Sequence, residues 1–335
     1  LDTVRTSVNS AGIAATICIG MGRDGDSFTE DFQFASLAVE MALSRGGDQV
    51  VIKNKFNFEF YGGRGKETEK RTKVKSRVMA SALGELITGA SRIFVMGHSM
   101  ADLDCIGAEV GICCIARKKG KKAKIVIDME RNASKQLIER VMTMNEYKDA
   151  FINPQDAILE ADGRTLLIVV DTNRPEQVES QELLLSCNHV AVIDHHKRAA
   201  TYIKNAALNF HEPSASSASE LVTELLQYLT EPSDIKMKEA EALMAGIVLD
   251  TKNFSLRVGG GTFEAAAFLR RAGADPTEVK KLMQSDFDST VERYRLISAA
   301  EVVFPGVSVA VSKETVNRIT AAQAADELLT IEGIE

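Results

Sequence analysis

The strongest constraint on the fold is a regular alternation, from Ser81 onward, of short apolar runs with longer amphipathic stretches. Runs rich in Ile and Val indicate buried strands, and the stretches between them have helical periodicity. The predicted strands are Arg92–Met96, Lys124–Ile127, Thr165–Val170 and His189–Ile193. The predicted helices are Cys105–Arg117, Ser134–Met142, Ser217–Leu229, Met237–Leu249 and Phe263–Ala272. This order predicts an α/β domain, a parallel sheet with flanking helices.

Further regions flank this α/β domain, which we place at residues 81–275. Residues 1–61 contain a predicted helix and two predicted strands, too little to bury a core, so we expect the end of a larger domain there. Residues 62–80 form a glycine-led, charged stretch that predicts a linker. We expect linker helices over residues 276–298. Residues 299–335 open with a predicted strand pair, Ala299–Ser312, and are expected to begin a smaller α/β domain.

The charge balance excludes one class of partner. Lys and Arg number 40 against 47 Asp and Glu, a net charge of −7, so the chain has no overall positive field with which to hold duplex nucleic acid. No run in the sequence approaches the roughly 20 apolar residues of a membrane span. The five cysteines are irregularly spaced and include no CxxC pair, which indicates buried free thiols and no structural zinc site.

Three of the predicted strands end in residues of the types that bind metals. The first strand leads to His98, the third to Asp171, and the fourth to the triplet Asp194-His195-His196. In an open parallel sheet, ligands gather at the carboxyl ends of the strands. We therefore expect these side chains to meet at one edge of the sheet.

Two further segments supply carboxylates. The loop GHSMADLDCIG places His98, Asp102 and Asp104 within seven residues, just before a helix; each Asp alone would be an ordinary cap or turn residue. Asp250, in GIVLDT, ends a helix where the dipole disfavours an acid, which a role as ligand would explain.

Four Asp with two His carry about four negative charges, which suits two divalent cations. Oxygen ligands without thiolate favour manganese or magnesium.

The ordered set GHSMADLDCIG, VVDTN, VIDHHKR and GIVLDT resembles the motifs of the DHH phosphoesterase superfamily. The resemblance implies two Mn²⁺ ions, with Mg²⁺ or another divalent metal as the alternative. It implies these ligands: His98 and Asp102 for one ion, Asp104, His195 and Asp250 for the other, and Asp171 as a bridge. The family usually has Asn-Pro where this chain has Met100-Ala101, and we expect a shifted loop that keeps both metals.

Within the superfamily, the chain is most similar to GdpP-type cyclic di-AMP phosphodiesterases. The segments TICIGMG and ALSRGGDQVVIK resemble the end of their degenerate GGDEF domain, and NFSLRVGGGTFEAAAFLRRAGADP resembles the segment that closes their DHH domain. The resemblance makes residues 1–61 a GGDEF-like fragment, residues 81–275 the DHH catalytic domain, and residues 299–335 the start of a DHH-associated, substrate-binding domain. Gly46-Gly47-Asp48 is expected to be a plain turn.

The resemblance also implies a reaction. A hydroxide activated by two manganese ions would attack phosphorus and convert cyclic di-AMP to linear pApA. We further expect a homodimer, and a cytoplasmic domain of a bacterial second-messenger protein whose membrane helices lie outside this sequence. Two alternatives stay open: a nanoRNase-like or pAp-phosphatase-like DHH enzyme acting on short oligonucleotides, and a catalytically silent nucleotide-sensing or redox-sensing module. The sequence leaves the base specificity open.

Two more residues are candidates for contact with substrate. His196 is predicted to hydrogen-bond a phosphate oxygen or to protonate the leaving 3′ oxygen; the alternative is that it orients His195. Asp194 is expected to support the histidines. Arg257 is predicted to contact a phosphate, with a surface salt bridge as the alternative.

Overall fold

The computed structural model describes residues 17–44, 49–55, 57–62, 73–129, 134–198, 201–284, 287–313 and 315–334. The chain divides into two compact units, Leu1–Leu282 and Met283–Glu335. The predicted turn at Gly46-Gly47-Asp48 and residues 63–72 of the predicted linker lie outside the described residues. No helix in the described ranges has both the length and the apolar character needed to cross a membrane.

The N-terminal region forms a three-stranded sheet with one helix. Its elements are β1 (Ile19–Gly22), α1 (Phe28–Ser44), β2 (Gln49–Lys53) and β3 (Phe58–Gly62). Strand β2 pairs in parallel with β1 and antiparallel with β3. The sequence predicts a helix over Phe32–Leu43 and a strand over Gln49–Lys53, which correspond to α1 and β2, but it does not predict β3. Residues 14–16 of the other predicted strand, Ala14–Ile19, lie outside the described residues. The buried core is small, as expected for so few elements, and consists of Ala38, Met41, Ala42 and Val51.

A six-stranded parallel sheet forms the centre of the first unit. Its strands are β4 (Arg92–Met96), β5 (Ala123–Val126), β6 (Phe151–Ile152), β7 (Thr165–Val170), β8 (His189–Asp194) and β9 (Leu208–His211). They lie in the order β6-β5-β4-β7-β8-β9, and every neighbouring pair is parallel. The chain leaves β4 toward one edge and later returns to its other side. Strands β4 and β7 therefore flank a topological switch point, where open α/β sheets bind ligands.

Helices cover both faces of this sheet. They are α2 (Lys73–Gly89), α3 (Leu103–Lys118), α4 (Lys135–Met142), α5 (Pro154–Glu160), α6 (Gln181–Ser186), α7 (Ala218–Leu229), α8 (Met237–Asp250), α9 (Gly260–Arg271) and α10 (Pro276–Leu282). Because side chains alternate along a strand, Ile93 and Val95 of β4 pack in the larger core with α3, α7 and α8. Phe94 and Met96 pack in the smaller core with α5 and α6. The predicted α/β fold is confirmed.

Helix α3 runs through the interior and fixes the loop that precedes it. Every residue from Asp104 to Ala116 is buried, as expected for a helix that is apolar on nearly all sides. At its C-terminal end, Arg117 binds both carboxylate oxygens of buried Glu239 in α8, and the Tyr147 hydroxyl donates to Glu239 at 2.6 Å. These charge-assisted hydrogen bonds tie α3 to an antiparallel α8. The N-terminal end of α3 consequently meets the C-terminal end of α8.

The second unit consists of α11 (Phe287–Ser298), β10 (Ala300–Phe304), β11 (Val307–Ala310) and α12 (Arg318–Leu328). Strands β10 and β11 form an antiparallel pair, which is the strand pair expected within Ala299–Ser312. The two helices contact each other through an ion pair of 3.3 Å between Arg293 Nε and Glu327 Oε2. The residue boundaries that the sequence predicts for the domains stay predictions.

Candidate metal centre

The ends of β4, β7 and β8 bring three groups of predicted ligands to one edge of the sheet. His98 follows β4 after one residue, Asp171 directly follows β7, and His195 directly follows β8. Asp171 Oδ2 lies 3.4 Å from His98 Nε2, and Asp171 Oδ1 lies 3.3 Å from His195 Nε2. The Asp171 carboxylate therefore stands between the two imidazoles and faces each with a different oxygen.

Asp171 occupies an unusual backbone position. Its φ is 58°, in the left-handed region that few residues other than glycine adopt. Its N–H still donates to the Ile193 carbonyl at 3.0 Å, so the turn is anchored to β8. Burial alone would raise the pKa of Asp171, but the His195 and His98 imidazoles hold it below its usual range. The carboxylate is thus kept ionised at the centre of the cluster.

Asp102 serves as the N-cap of α3. Its Oδ1 accepts hydrogen bonds from the N–H groups of Asp104 and Cys105, at 2.9 and 3.1 Å. The same oxygen lies 4.0 Å from His98 Nε2. Burial and the charge on Asp171 raise the pKa of Asp102 to about 6. Capping and metal binding are therefore compatible at this position, since the second carboxylate oxygen makes neither of the cap bonds.

Asp104 is fully buried and is held by another helix. Its two oxygens accept hydrogen bonds from the N–H groups of Ala218 and Ser219, at 2.7 and 2.8 Å, in the first turn of α7. Burial raises the pKa of Asp104 well above its ordinary value, whereas the positive N-terminus of α7 favours the ionised form. The result is a carboxylate fixed with Oδ2 at 3.9 Å from His195 Nε2.

Asp250, the last residue of α8, completes the cluster. Its Oδ2 lies 3.2 Å from His195 Nε2, so this nitrogen faces the carboxylates of Asp104, Asp171 and Asp250 together. Burial alone would lower the pKa of His195, but the Asp171 and Asp250 carboxylates raise it well above its ordinary value. A proton on this ring would supply the positive charge that the carboxylates require and that a metal ion would otherwise supply.

The donor set fits divalent metal ions. Ligand atoms of Asp104, His195 and Asp250 lie within 4.8 Å of one another, as do those of Asp171, His195 and His196. Within the described ranges, both ring nitrogens of His195 and Oδ1 of Asp171 are buried and make no hydrogen bond of normal geometry, although His195 Nε2 and Asp171 Oδ1 lie 3.3 Å apart. Buried polar atoms are normally satisfied, and a metal would satisfy these. Carboxylate oxygens mixed with imidazole suit manganese and similar ions.

The cluster opens into a cavity of about 330 Å³. Its lining comprises His98, Ser99, Met100, Asp102, Asp171, Gln177, His196 and Asp250. Asp102 and Asp250, which lie far apart in the sequence, therefore border the same space. At the pair Met100-Ala101, Ala101 is buried and Met100 is 59% exposed at the edge of the cavity, and His98 Nε2 lies 4.0 Å from Asp102 Oδ1.

His196 lies at the mouth of this cavity. Its Nδ1 is 3.0 Å and its backbone N is 3.2 Å from Asp194 Oδ1, and Asn173 donates to the other oxygen of Asp194. The His196 carbonyl oxygen accepts a hydrogen bond of 2.6 Å from His211 Nε2. With Nδ1 directed to buried Asp194, Nε2 is the ring nitrogen left for contact with a substrate.

One predicted residue lies outside the cavity, and three residues near the cluster are not predicted. Arg257 is exposed in the segment between α8 and α9, with a φ of 52°, and does not line the cavity; its role stays a prediction. Sequence reasoning missed Cys105, Asn173 and Gln177. Asn173 could have been identified from its place in the motif VVDTN, and Cys105 from its place directly after Asp104. No local sequence pattern indicates Gln177, because the isolated bridge between Val178 and His98, which are distant in sequence, places it at the cavity.

Gly246 lets α8 approach the Asp104 carboxylate, and a side chain there should displace it. A Cβ at Gly246 would lie 2.7 Å from Asp104 Oδ1 and 2.3 Å from Ser219 Oγ. We expect Gly246→Ala to destabilise the fold by about 1–3 kcal/mol, the usual cost of overpacking, and to weaken binding of divalent metal. Thermal unfolding and calorimetric metal titration measure the two effects.

Gly89→Ala is the matched control for this prediction. Gly89 also lies in a helix, but a Cβ there would meet no atom within 4 Å. We expect its metal affinity and stability to equal those of the unsubstituted chain. If Gly246→Ala behaved like Gly89→Ala in both measurements, Asp104 would not be held as described.

Comparison with known families defines the class of this protein. The model of the DHH family N-terminal domain matches residues 92–247, and this part of the chain is a DHH domain. The model of the cyclic-di-AMP phosphodiesterase GdpP-like GGDEF domain matches residues 1–60. The chain therefore has a segment that matches a GdpP-like GGDEF domain ahead of its DHH domain.

Individual relatives match along the whole chain. It is 40% identical over 342 residues to the cyclic-di-AMP phosphodiesterase GdpP of Bacillus subtilis (strain 168), a match to 100% of this chain and 52% of that protein. It is 39% identical to the cyclic-di-AMP phosphodiesterase PdeA of Listeria monocytogenes, with the same coverage. The chain thus spans about half the length of these relatives. An exopolyphosphatase-related protein from Bacteroides fragilis shares the fold, with a TM-score of 0.65 at 18% identity over 80% of this chain and 79% of that one.

Proposed function

We propose that this chain is the catalytic part of a metal-dependent phosphodiesterase that hydrolyses cyclic di-AMP to linear pApA. The observation that carries the proposal is the meeting of carboxylates and imidazoles around Asp171 at the switch point of the sheet. The names of the relatives, both cyclic-di-AMP phosphodiesterases, supply the substrate. The small cavity suits one phosphodiester group at the metals, with the remainder of the dinucleotide outside.

The proposed ions are two Mn²⁺. We propose that His98 and Asp102 would hold one ion and that Asp104, His195 and Asp250 would hold the other. Asp171 would contribute to both. Two observations support this division. Asp171 directs its two oxygens to different imidazoles, and the ligand atoms of Asp104, His195 and Asp250 already form a compact group. When bound, two such cations lower the pKa of water and stabilise charge on the phosphoryl oxygens.

The side chains of this protein then orient the phosphodiester and move a proton. In the proposed step an oxygen from water bonds to phosphorus and one water proton is released to solvent. The bond between phosphorus and the 3′ oxygen breaks, and its electron pair remains on the 3′ oxygen. His196 Nε2 donates the proton that this oxygen takes. Asp194, which accepts from Nδ1, holds the ring in the required orientation. The product is a linear dinucleotide with a 5′ phosphate and a 3′ hydroxyl.

The principal alternative is a DHH enzyme that removes nucleotides from short oligonucleotides or dephosphorylates pAp. The match of residues 1–60 to a GdpP-like GGDEF domain favours the cyclic dinucleotide. One assay separates the two functions. The chain is incubated with Mn²⁺ and, in separate reactions, cyclic di-AMP, cyclic di-GMP, linear pApA and pAp, and the products are resolved by chromatography.

We expect cyclic di-AMP to be converted to pApA faster than any other compound is consumed. Preferential cleavage of pApA or pAp would support the alternative enzyme instead. A chain that binds Mn²⁺ and cyclic di-AMP yet releases no product would be a sensing module, the third possibility. The same reactions without metal, after chelation, should show no turnover.

Arg257 is proposed to contact a phosphate of the substrate. Because an Arg–phosphate contact far from the reacting bond stabilises the ground state and the transition state equally, Arg257→Ala should raise KM about tenfold and leave kcat nearly unchanged. Steady-state kinetics with cyclic di-AMP provides the measurement. Arg164→Ala, at an exposed residue directly before β7, is the matched control and should change neither constant. An unaltered KM for Arg257→Ala would favour a purely surface role.

A further inference from the structure

Cys105 is a buried thiol placed against the metal-ligand cluster. It directly follows Asp104 in the first turn of α3 and is 0% exposed. Its Sγ, a ring nitrogen of His98 and a carboxylate oxygen of Asp171 all lie within 4.8 Å of one another. A small shift of these side chains would let all three bind one ion, since Zn–S and Zn–N bonds are about 2.0–2.3 Å long.

This thiol lies at the border of the larger core and has polar as well as apolar neighbours. A Cβ at Gly97 would lie 1.9 Å from Cys105 Sγ, so the sulfur rests directly on the backbone that leads to His98. Glu109, one turn later in α3, is 1% exposed and places Oε1 at 3.9 Å from the sulfur. Its Oε2 is buried without a hydrogen-bond partner in the described part of the chain. A buried carboxylate oxygen without a hydrogen-bond partner is an atom that a bound ligand would satisfy.

We propose that Cys105, His98 and Asp171 form a binding site for soft divalent cations such as Zn²⁺ and Cd²⁺. The inference rests on the proposed function, because His98 and Asp171 are also the proposed ligands of a manganese ion. Thiolate sulfur selects soft metals, whereas carboxylates and imidazole accept manganese. A soft cation would bind the Cys105 sulfur, release the thiol proton to water, and occupy ligands that manganese needs. The centre would then exchange its metal between two overlapping ligand sets.

Titration of the metal-free chain with Cd²⁺ tests this site, because a cadmium–thiolate bond gives a charge-transfer band in the ultraviolet. We compare the unsubstituted chain with Cys105→Ser, and with Cys187→Ser as the matched control. Cys187 is another buried cysteine, at the end of α6 and outside the cluster. The band should appear with the unsubstituted chain and with Cys187→Ser, and it should be absent with Cys105→Ser. Cadmium affinity should fall about tenfold or more in Cys105→Ser, while Mn²⁺ affinity should change less than about threefold.

A band that persists in Cys105→Ser, or one that never appears, would overturn the inference. Circular dichroism and Mn²⁺ binding show whether Cys105→Ser is folded, and Cys105→Ala replaces it if it is not. Hydrolysis of cyclic di-AMP with Mn²⁺ is measured separately on the unsubstituted chain. Hydrolysis without the cadmium band would remove this site and leave the proposed function, whereas the band without hydrolysis would remove the proposed function and leave a soft-metal site.

Discussion

An Asp171→Asn chain should lose hydrolysis of cyclic di-AMP by at least about 10³-fold, because even outer-shell partners of metal ligands are worth about 10- to 100-fold. The amide keeps the size of the carboxylate but carries no charge, and it can offer only one oxygen where two are needed between His98 and His195. Asparagine is the appropriate replacement because it tolerates the left-handed backbone at this position better than alanine does.

The measurement is the rate of pApA formation at saturating Mn²⁺, together with the number of Mn²⁺ ions bound per chain. Asp149→Asn, an exposed aspartate in the turn before β6, is the matched control and should retain full activity. Circular dichroism should show that Asp171→Asn is folded. Full activity in a folded, manganese-loaded Asp171→Asn chain would refute the proposed centre.

The part of the site that lies on the sheet is predictable from the sequence because its signals are local. A strand that is buried on both faces is an uninterrupted apolar run, and β4 and β7 have the bounds that the sequence predicts, Arg92–Met96 and Thr165–Val170. The residue after such a run must lie at the carboxyl end of the sheet. For that reason the meeting of His98, Asp171 and His195 follows from composition and order alone.

The supports of the site are not predictable in this way, because their partners are distant in sequence. Asp104 is fixed by N–H groups of Ala218 and Ser219 at the start of α7, more than 100 residues later. Edge strands β6 and β9 are also missed: Phe151–Ile152 has only two residues, and Leu208–His211 mixes apolar and polar residues. Each of these strands forms because it pairs with a neighbouring strand, and a local sequence pattern does not predict that pairing.

The buried polar pair Cys105 and Glu109 shows a second limit of sequence reasoning. They are four residues apart on α3, the separation of any two residues on one helix face, and the irregular cysteine spacing predicts only buried free thiols. The structure agrees that the thiol is buried and free. The sequence pattern does not show that the end of β4 lies close to α3. This closeness places the Cys105 sulfur in contact with the Gly97 backbone, next to His98. The homodimer and the identity of the metal stay predictions.

His196→Ala should lower kcat about 10²- to 10⁴-fold, the usual contribution of a general acid, with little change in KM. Asp194 holds the imidazole through Nδ1 at 3.0 Å, and His211 holds the backbone carbonyl of His196. Nε2 is therefore left to protonate the leaving 3′ oxygen. His196→Gln distinguishes this role from a simple hydrogen bond to phosphate. The Gln amide can donate a hydrogen bond but cannot transfer a proton, so we expect it to be as slow as Ala.

A substrate with a better leaving group provides the decisive comparison. Bis(4-nitrophenyl) phosphate releases an anion that needs no proton, so the deficit of His196→Ala should shrink to roughly tenfold or less with this compound if the lost step is protonation. His189→Ala, at the exposed opposite end of β8, should be indistinguishable from the unsubstituted chain with both substrates. An equal deficit with cyclic di-AMP and the nitrophenyl ester would instead assign His196 to positioning His195, whose ring centroid lies 4.4 Å away.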